Sequence, residues 1–168
     1  MKQKVYEKLQ GNLEEMTKQY RLLLDCVRKE KDFLLQTKIA DLAANNIIKE
    51  QLLQDIKAKD ALRAATACEL AKIIGVNSIE PRLLEIAKQM SGPEGDKLRS
   101  IHSTLELITK RVVEVNNENA TYAESALFTV NSAMNNVKDS LMGQKTYQKK
   151  GAYQQGYDKS GHLVSKEA

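Results

Sequence analysis

An apolar repeat in steps of three and four residues restricts residues 98–133 to one long helix. Its members are Leu98, Ile101, Leu105, Ile108, Val112, Val115, Asn119, Tyr122, Ala126, Thr129 and Ala133. These steps return to one side of an α-helix, because a turn takes about 3.6 residues. A second series with the same spacing is Val5, Leu9, Leu13, Met16, Tyr20, Leu23, Val27, Glu30 and Leu34, with Glu30 as its one polar member. Both series predict long helices that pack along a seam.

The breaks between periodic segments place four helices at about residues 3–36, 39–74, 80–90 and 96–141. The hydroxyl of Thr37 is expected to cap the second helix, and Gly75 to end it. Pro81 suits the first turn of the short third helix. Residues 91–96 contain two Gly and one Pro and therefore predict a loop, with Asp96 as the cap of the last helix.

Composition agrees with an all-α fold, because the 168 residues include only eight Gly and two Pro. Helices joined by short connections pack as antiparallel neighbours. We predict an elongated antiparallel helical hairpin or three-helix bundle with coiled-coil character over residues 1–142. Residues 143–168, rich in Gly, Tyr and Lys, are predicted to form a flexible tail. No apolar run approaches the roughly 20 residues that cross a bilayer, and no secretory signal begins the chain, so a cytoplasmic location is expected.

The sequence predicts no catalytic, cofactor or metal site, and hence a protein that is not an enzyme. His102 and His162 are isolated, and Cys26 and Cys68 lack metal-ligand spacing. The carboxylates are scattered along helix faces. The tail combines five Lys with three Tyr, which could hold a single nucleic-acid strand by charge and stacking. Its lack of Arg and its two acidic residues make this a less favoured alternative.

A second apolar row follows the C-terminal half of the last helix, about a quarter turn from the seam. It consists of Ala123, Leu127, Val130, Met134 and Leu141, while the seam continues through Tyr122 and Val137. Two interpretations stay open: residues 80–90 fold back over this row, or the row is an exposed surface for a helix of another protein. The adaptable Met134 side chain and the Asn- and Thr-rich, weakly helix-forming sequence favour the second.

Three segments resemble the FlgN-like flagellar export chaperones. The first is EKDFLLQTKIADLAANNIIKEQLL at residues 30–53, across the first predicted turn. The second is NNENATYAESALFTVNSAMNNV at residues 116–137, an Asn-punctuated last helix. The third lies in the tail, where TYQKKG and YDKSG each contain a Tyr followed four residues later by a Gly.

The resemblance implies a cytosolic type III export chaperone. Such a chaperone holds hook–filament junction proteins of the FlgK and FlgL type, prevents their premature assembly and delivers them to a membrane export gate of the FlhA type. The chaperone would contact the membrane only through the export apparatus. It would bind no nucleic acid. The implied partner-binding residues are Tyr122, Ala123, Leu127, Val130, Met134, Val137, Leu141, Tyr147, Gly151, Tyr157 and Gly161. A structural coiled-coil adaptor without a chaperone role is the alternative.

Overall fold

A computed structural model describes residues 1–76 and 80–141, and all regular secondary structure within them is α-helical. The helices are α1 (Lys2–Leu35), α2 (Ile39–Ile74), α3 (Leu83–Gln89) and α4 (Pro93–Leu141). The predicted all-α helical bundle is confirmed. The chain divides into two compact units, Met1–Tyr122 and Ala123–Ala168. This division falls inside α4, whereas the sequence analysis places its boundary at residue 142.

The hydrophobic core lies in the first unit, where α1, α2, α3 and the start of α4 contribute side chains. Its fully buried Leu and Ile side chains are Leu9, Leu13, Leu70, Ile86 and Leu98. Three of them, Leu9, Leu13 and Leu98, belong to the two predicted seams. Burying such a side chain stabilises the fold by about 1.5–3 kcal/mol. The two seams therefore meet Leu70 of α2 and Ile86 of α3 in one core.

The turn between α1 and α2 differs from its prediction. Thr37 does not cap α2, because the N-cap is Lys38 and no side chain caps it. Thr37 instead takes a left-handed conformation, with φ of 56°. Its N–H donates to Leu34 O at 3.2 Å, and the Lys38 N–H donates to Phe33 O at 2.9 Å. This pair of bonds is a Schellman motif, which satisfies the last carbonyls of α1 and usually has Gly in the left-handed position.

Thr37→Gly is expected to raise the free energy of unfolding by about 0.5–1 kcal/mol. A β-branched residue at positive φ is strained, and the removed strain exceeds the extra entropy that Gly gives the unfolded chain. Urea unfolding followed by circular dichroism measures the change. The matched control is Lys38→Gly, whose φ of −86° needs no Gly. This control should lower the free energy of unfolding. The strain argument fails if both substitutions change that free energy in the same direction.

The first residues of α3 and α4 also differ from those predicted. α3 covers Leu83–Gln89 and not 80–90, because Arg82 is its extended N-cap, with φ of −73° and ψ of 142°. The Arg82 N–H donates to Glu85 Oε2 at 3.1 Å, which fixes this start. α4 begins at Pro93 and not at Asp96. The fixed φ of Pro and its missing N–H suit the first position of a helix, so the predicted loop is shorter.

A polar layer joins α1, α2 and α4 at the one polar position of the α1 seam. Glu30 Oε2 accepts from Lys49 Nζ at 2.7 Å, and the same Nζ donates to Asn116 Oδ1 at 2.7 Å. The buried Asn119 amide donates to Val27 O at 2.8 Å. A polar contact placed in an apolar seam disfavours shifted alignments of the helices, because a shift would leave buried polar groups unpaired. We infer that this layer fixes the alignment of the three helices.

Cys26 and Asn45 add a second polar contact between α1 and α2. The Asn45 amide donates to Cys26 O at 3.1 Å, and the thiol donates to Asn45 Oδ1 at 3.4 Å. Burial raises the pKa of the Cys26 thiol, which keeps it protonated and able to donate. Neither Cys26 nor Cys68 forms a disulfide bond. The contact therefore has a structural role without a disulfide.

Candidate partner-binding face

Residues 123–141 form the described part of the second unit and belong to α4. Their charged residues are Glu124, Lys138 and Asp139. The hydroxyls of Thr129 and Ser140 donate to carbonyls one turn earlier, at 3.0 and 2.8 Å. These hydroxyls are thus satisfied within the helix. The segment also exposes several large apolar side chains.

Six apolar side chains on one side of this segment are exposed, and we call them the apolar face. They are Ala123, Leu127, Val130, Met134, Val137 and Leu141. Leu127 is 61% exposed, Met134 65% and Leu141 75%. Because each residue turns the helix by about 100°, the six side chains point within an arc of about 80° around the helix axis. At a rise of 1.5 Å per residue they extend over roughly 27 Å.

The apolar side chains of α3 pack within the first unit, because Leu83, Ile86 and Ala87 are buried in its core. Leu127, Val130, Met134 and Leu141 of the second row are exposed. The seam of α4 is also shorter than its periodicity predicts. Asn119 is its last buried residue, and Tyr122, Ala126, Thr129 and Ala133 are exposed. The repeat shows which side of a helix is apolar, but not how far another helix covers that side.

The remaining implied partner-binding residues are placed differently. Tyr122 is the last residue of the first unit and is 43% exposed. Tyr147, Gly151, Tyr157 and Gly161 lie outside the described residues. Phe128, which is 74% exposed, points about 100° away from Leu127 and is not part of the apolar face.

The described residues contain no group of three or more His, Cys, Asp or Glu side chains that could hold a metal ion. His102 Nδ1 lies 3.8 Å from Glu106 Oε2, one turn along α4. Within residues 1–76 and 80–141, none of the helices is long and apolar enough to cross a membrane.

A sequence model of one protein family, described as FlgN protein, matches residues 1–155. The chain belongs to the FlgN family. This is the family of flagellar export chaperones, so membership gives the chain a general chaperone role in flagellar export. The match includes the four helices and hence the apolar face. No curated protein and no solved structure matches the chain significantly.

Proposed function

We propose that this FlgN-family chain binds hook–filament junction proteins of the FlgK and FlgL type in the cytoplasm. It keeps them from assembling and delivers them to an export gate of the FlhA type. The observation that carries the proposal is the apolar face, whose side chains are exposed along several turns of α4. Contiguous apolar surface of this kind marks interaction sites, because leaving it in water is unfavourable.

The proposed mechanism is the docking of an amphipathic cargo helix on the apolar face. Burying about 600 Å² of apolar area at about 25 cal/mol per Å² gives roughly 15 kcal/mol before any cost is subtracted. The loss of rigid-body freedom and the ordering of side chains cost about 4–15 kcal/mol. Costs of about 4–7 kcal/mol, at the lower end of this range, leave about 8–11 kcal/mol, or a Kd between about 1 μM and 10 nM. Binding of this strength suits a carrier that must release its cargo.

The same proposal includes Tyr122 and the tail residues that the resemblance implies. Tyr147 and Tyr157 would supply aromatic contact area at a low cost in side-chain entropy. Gly151 and Gly161 would let the backbone turn close to the cargo. The low charge of residues 123–141 supports an apolar contact, since few charged groups lose water when the helix is covered.

The test is a titration of the purified full-length chain with purified junction protein, followed by calorimetry and gel filtration. We expect a discrete complex with a Kd between about 1 nM and 10 μM. A second titration adds the soluble domain of the export gate, and cargo is expected to strengthen that contact. Absence of a complex with the junction proteins would contradict the cargo role.

A chain that lacks residues 143–168 separates the proposal from the alternative. A structural coiled-coil adaptor would bind its partner unchanged without these residues. The proposed chaperone should bind junction protein less tightly, because part of its contact area is gone. The truncation leaves α1–α4 in place, and circular dichroism should show unchanged helix content.

A further inference from the structure

The first unit contains an open groove between its four helical segments, with a volume of about 740 Å³. Apolar side chains of low exposure form its floor: Leu13, Met16, Leu83 and Leu105. Leu84, which is 40% exposed, stands at its edge. The volume lies within the range of about 300–1,000 Å³ that is typical of ligand sites in proteins. All of its lining residues belong to the first unit, and none of them is part of the apolar face.

Two of the three acidic side chains around this groove accept hydrogen bonds. Asp60 Oδ1 accepts from Arg63 Nε at 2.7 Å, and Glu85 Oε2 accepts from the Arg82 N–H at 3.1 Å. The ion pair with Arg63 offsets the charge of Asp60. Three acidic residues line the groove against four Lys and Arg, so the lining carries a small excess of positive charge.

Three basic side chains at the groove have no carboxylate partner within the described residues. They are Arg82 at the N-cap of α3, Lys88 in its last turn, and Lys110 on α4. All three are exposed. Positive charge thus borders the apolar floor from two different helices. A ligand that complements the groove has an apolar surface and negative charge on both sides of it.

The length of the groove favours a helical ligand. Its α4 residues extend from His102 to Lys110, or about 12 Å at 1.5 Å per residue. Two turns of a helix would lie along it and direct apolar side chains at i and i+4 or i+7 into the floor. Carboxylates on either flank of that row would then reach the basic side chains of α3 and α4.

We propose that this groove binds an amphipathic helical segment of a partner protein whose apolar row has Asp or Glu on both flanks. The proposal adds a second interaction surface to the chain. It does not depend on the cargo role of the apolar face. The tail of the chain itself is a poor occupant, because its five Lys outnumber its two acidic residues.

The test uses a fluorescent designed peptide of about 18 residues, long enough for a stable helix, with Leu in three–four steps and Glu on both flanks. Fluorescence anisotropy measures its binding to the full-length chain. We expect saturable binding that weakens with salt, and at least about 10-fold weaker binding of a matched peptide with Lys in place of Glu. Equal binding of the two peptides would overturn the charge argument.

Variants locate the binding. Replacing Arg82, Lys88 and Lys110 by Glu should weaken binding of the Glu peptide by about 10- to 100-fold. The control variant reverses three exposed basic residues away from the groove, Lys4, Lys8 and Lys57, and should show a much smaller change. Circular dichroism checks that both variants stay folded. If the two triple variants bind equally, or if the peptide does not bind the wild-type chain, the proposal is wrong.

Two further measurements distinguish other occupants. Sedimentation of the chain alone, with and without the charge reversal, would reveal a second copy in the groove as a dimer that the variant abolishes. Flotation with vesicles of anionic lipid would reveal a membrane surface. Either result would overturn the proposal. A variant with Leu127→Asp and Met134→Asp should bind the peptide like the wild type, so that this test is independent of cargo binding.

Discussion

Replacing Leu127 and Met134 by Asp should weaken binding to the junction proteins by more than about 100-fold. The two side chains are 61% and 65% exposed and lie about two turns apart on the apolar face. Each change removes apolar contact area and forces a carboxylate into a contact that excludes water, and both effects act against binding. Calorimetry with purified junction protein measures the loss. Circular dichroism should show that the first unit stays folded, because neither side chain belongs to the core.

The matched control places two Asp residues on the opposite side of the same segment. Thr129 and Asn136 lie about 160–180° from Leu127 around the helix and are exposed. The variant with Thr129→Asp and Asn136→Asp adds the same charge, while Thr, Asn and Asp have similar helix propensities. It should bind junction protein within a few-fold of the wild type. Comparable losses in both variants would show that the added charge, and not the apolar face, controls binding.

Gly95→Ala should lower the free energy of unfolding by about 3 kcal/mol or more. The same change in an open helix stabilises it by about 1 kcal/mol, because Ala has the higher helix propensity. At Gly95 the new Cβ would overlap Met90 O and lie 2.6 Å from Ala87 O. These atoms belong to the backbone, and Ala87 O also accepts from Arg99 at 2.9 Å. Relieving the clash therefore requires α3 to move away from α4.

Gly11→Ala is the control for this substitution. Gly11 lies inside α1, is exposed, and has nothing within 4 Å of the position of a Cβ. We expect the free energy of unfolding to rise by about 0.5–1 kcal/mol. Urea unfolding of the two variants side by side measures both changes. A stabilising Gly95→Ala would show that the close approach of α3 and α4 is not present in solution.

The exposed apolar face has a consequence for the stability of the chain. Residues 123–141 bury little of their own surface, so their helix gains little from packing within this chain. Helices without tertiary packing are marginal in water. A cargo helix that covers the face would supply the missing packing. Cargo binding and helix stability in this segment are therefore expected to be coupled, since a ligand stabilises the state that it binds.

The sequence by itself determined the helical class and the positions of the long helices. The spacing of Leu9, Leu13 and Leu98 predicts buried seams, and these side chains are buried. Gly75 ends α2 in the left-handed conformation, as predicted, with φ of 79°. These features are local, because periodicity and end signals depend on residues within a turn or two. The FlgN resemblance likewise came from contiguous segments, and the family match confirms it.

Other features became visible only in the folded chain. The sequence does not predict the left-handed conformation of Thr37, because the left-handed position after a helix usually has Gly. In the sequence Glu30 is a polar exception in an apolar seam. In the fold it accepts hydrogen bonds from Lys49 of α2 and Asn119 of α4. The groove was missed because its basic side chains, Arg82 and Lys110, are far apart in the chain.

The extent of burial along α4 shows most clearly how sequence periodicity and tertiary packing differ in what they determine. Its repeat continues without a break past Asn119, yet burial ends there. An apolar side chain has the same period whether it faces a neighbouring helix or water. Periodicity thus fixes the direction of each side chain around its own helix. Which of these sides is covered depends on where the other helices lie, and that is set by packing between distant parts of the chain.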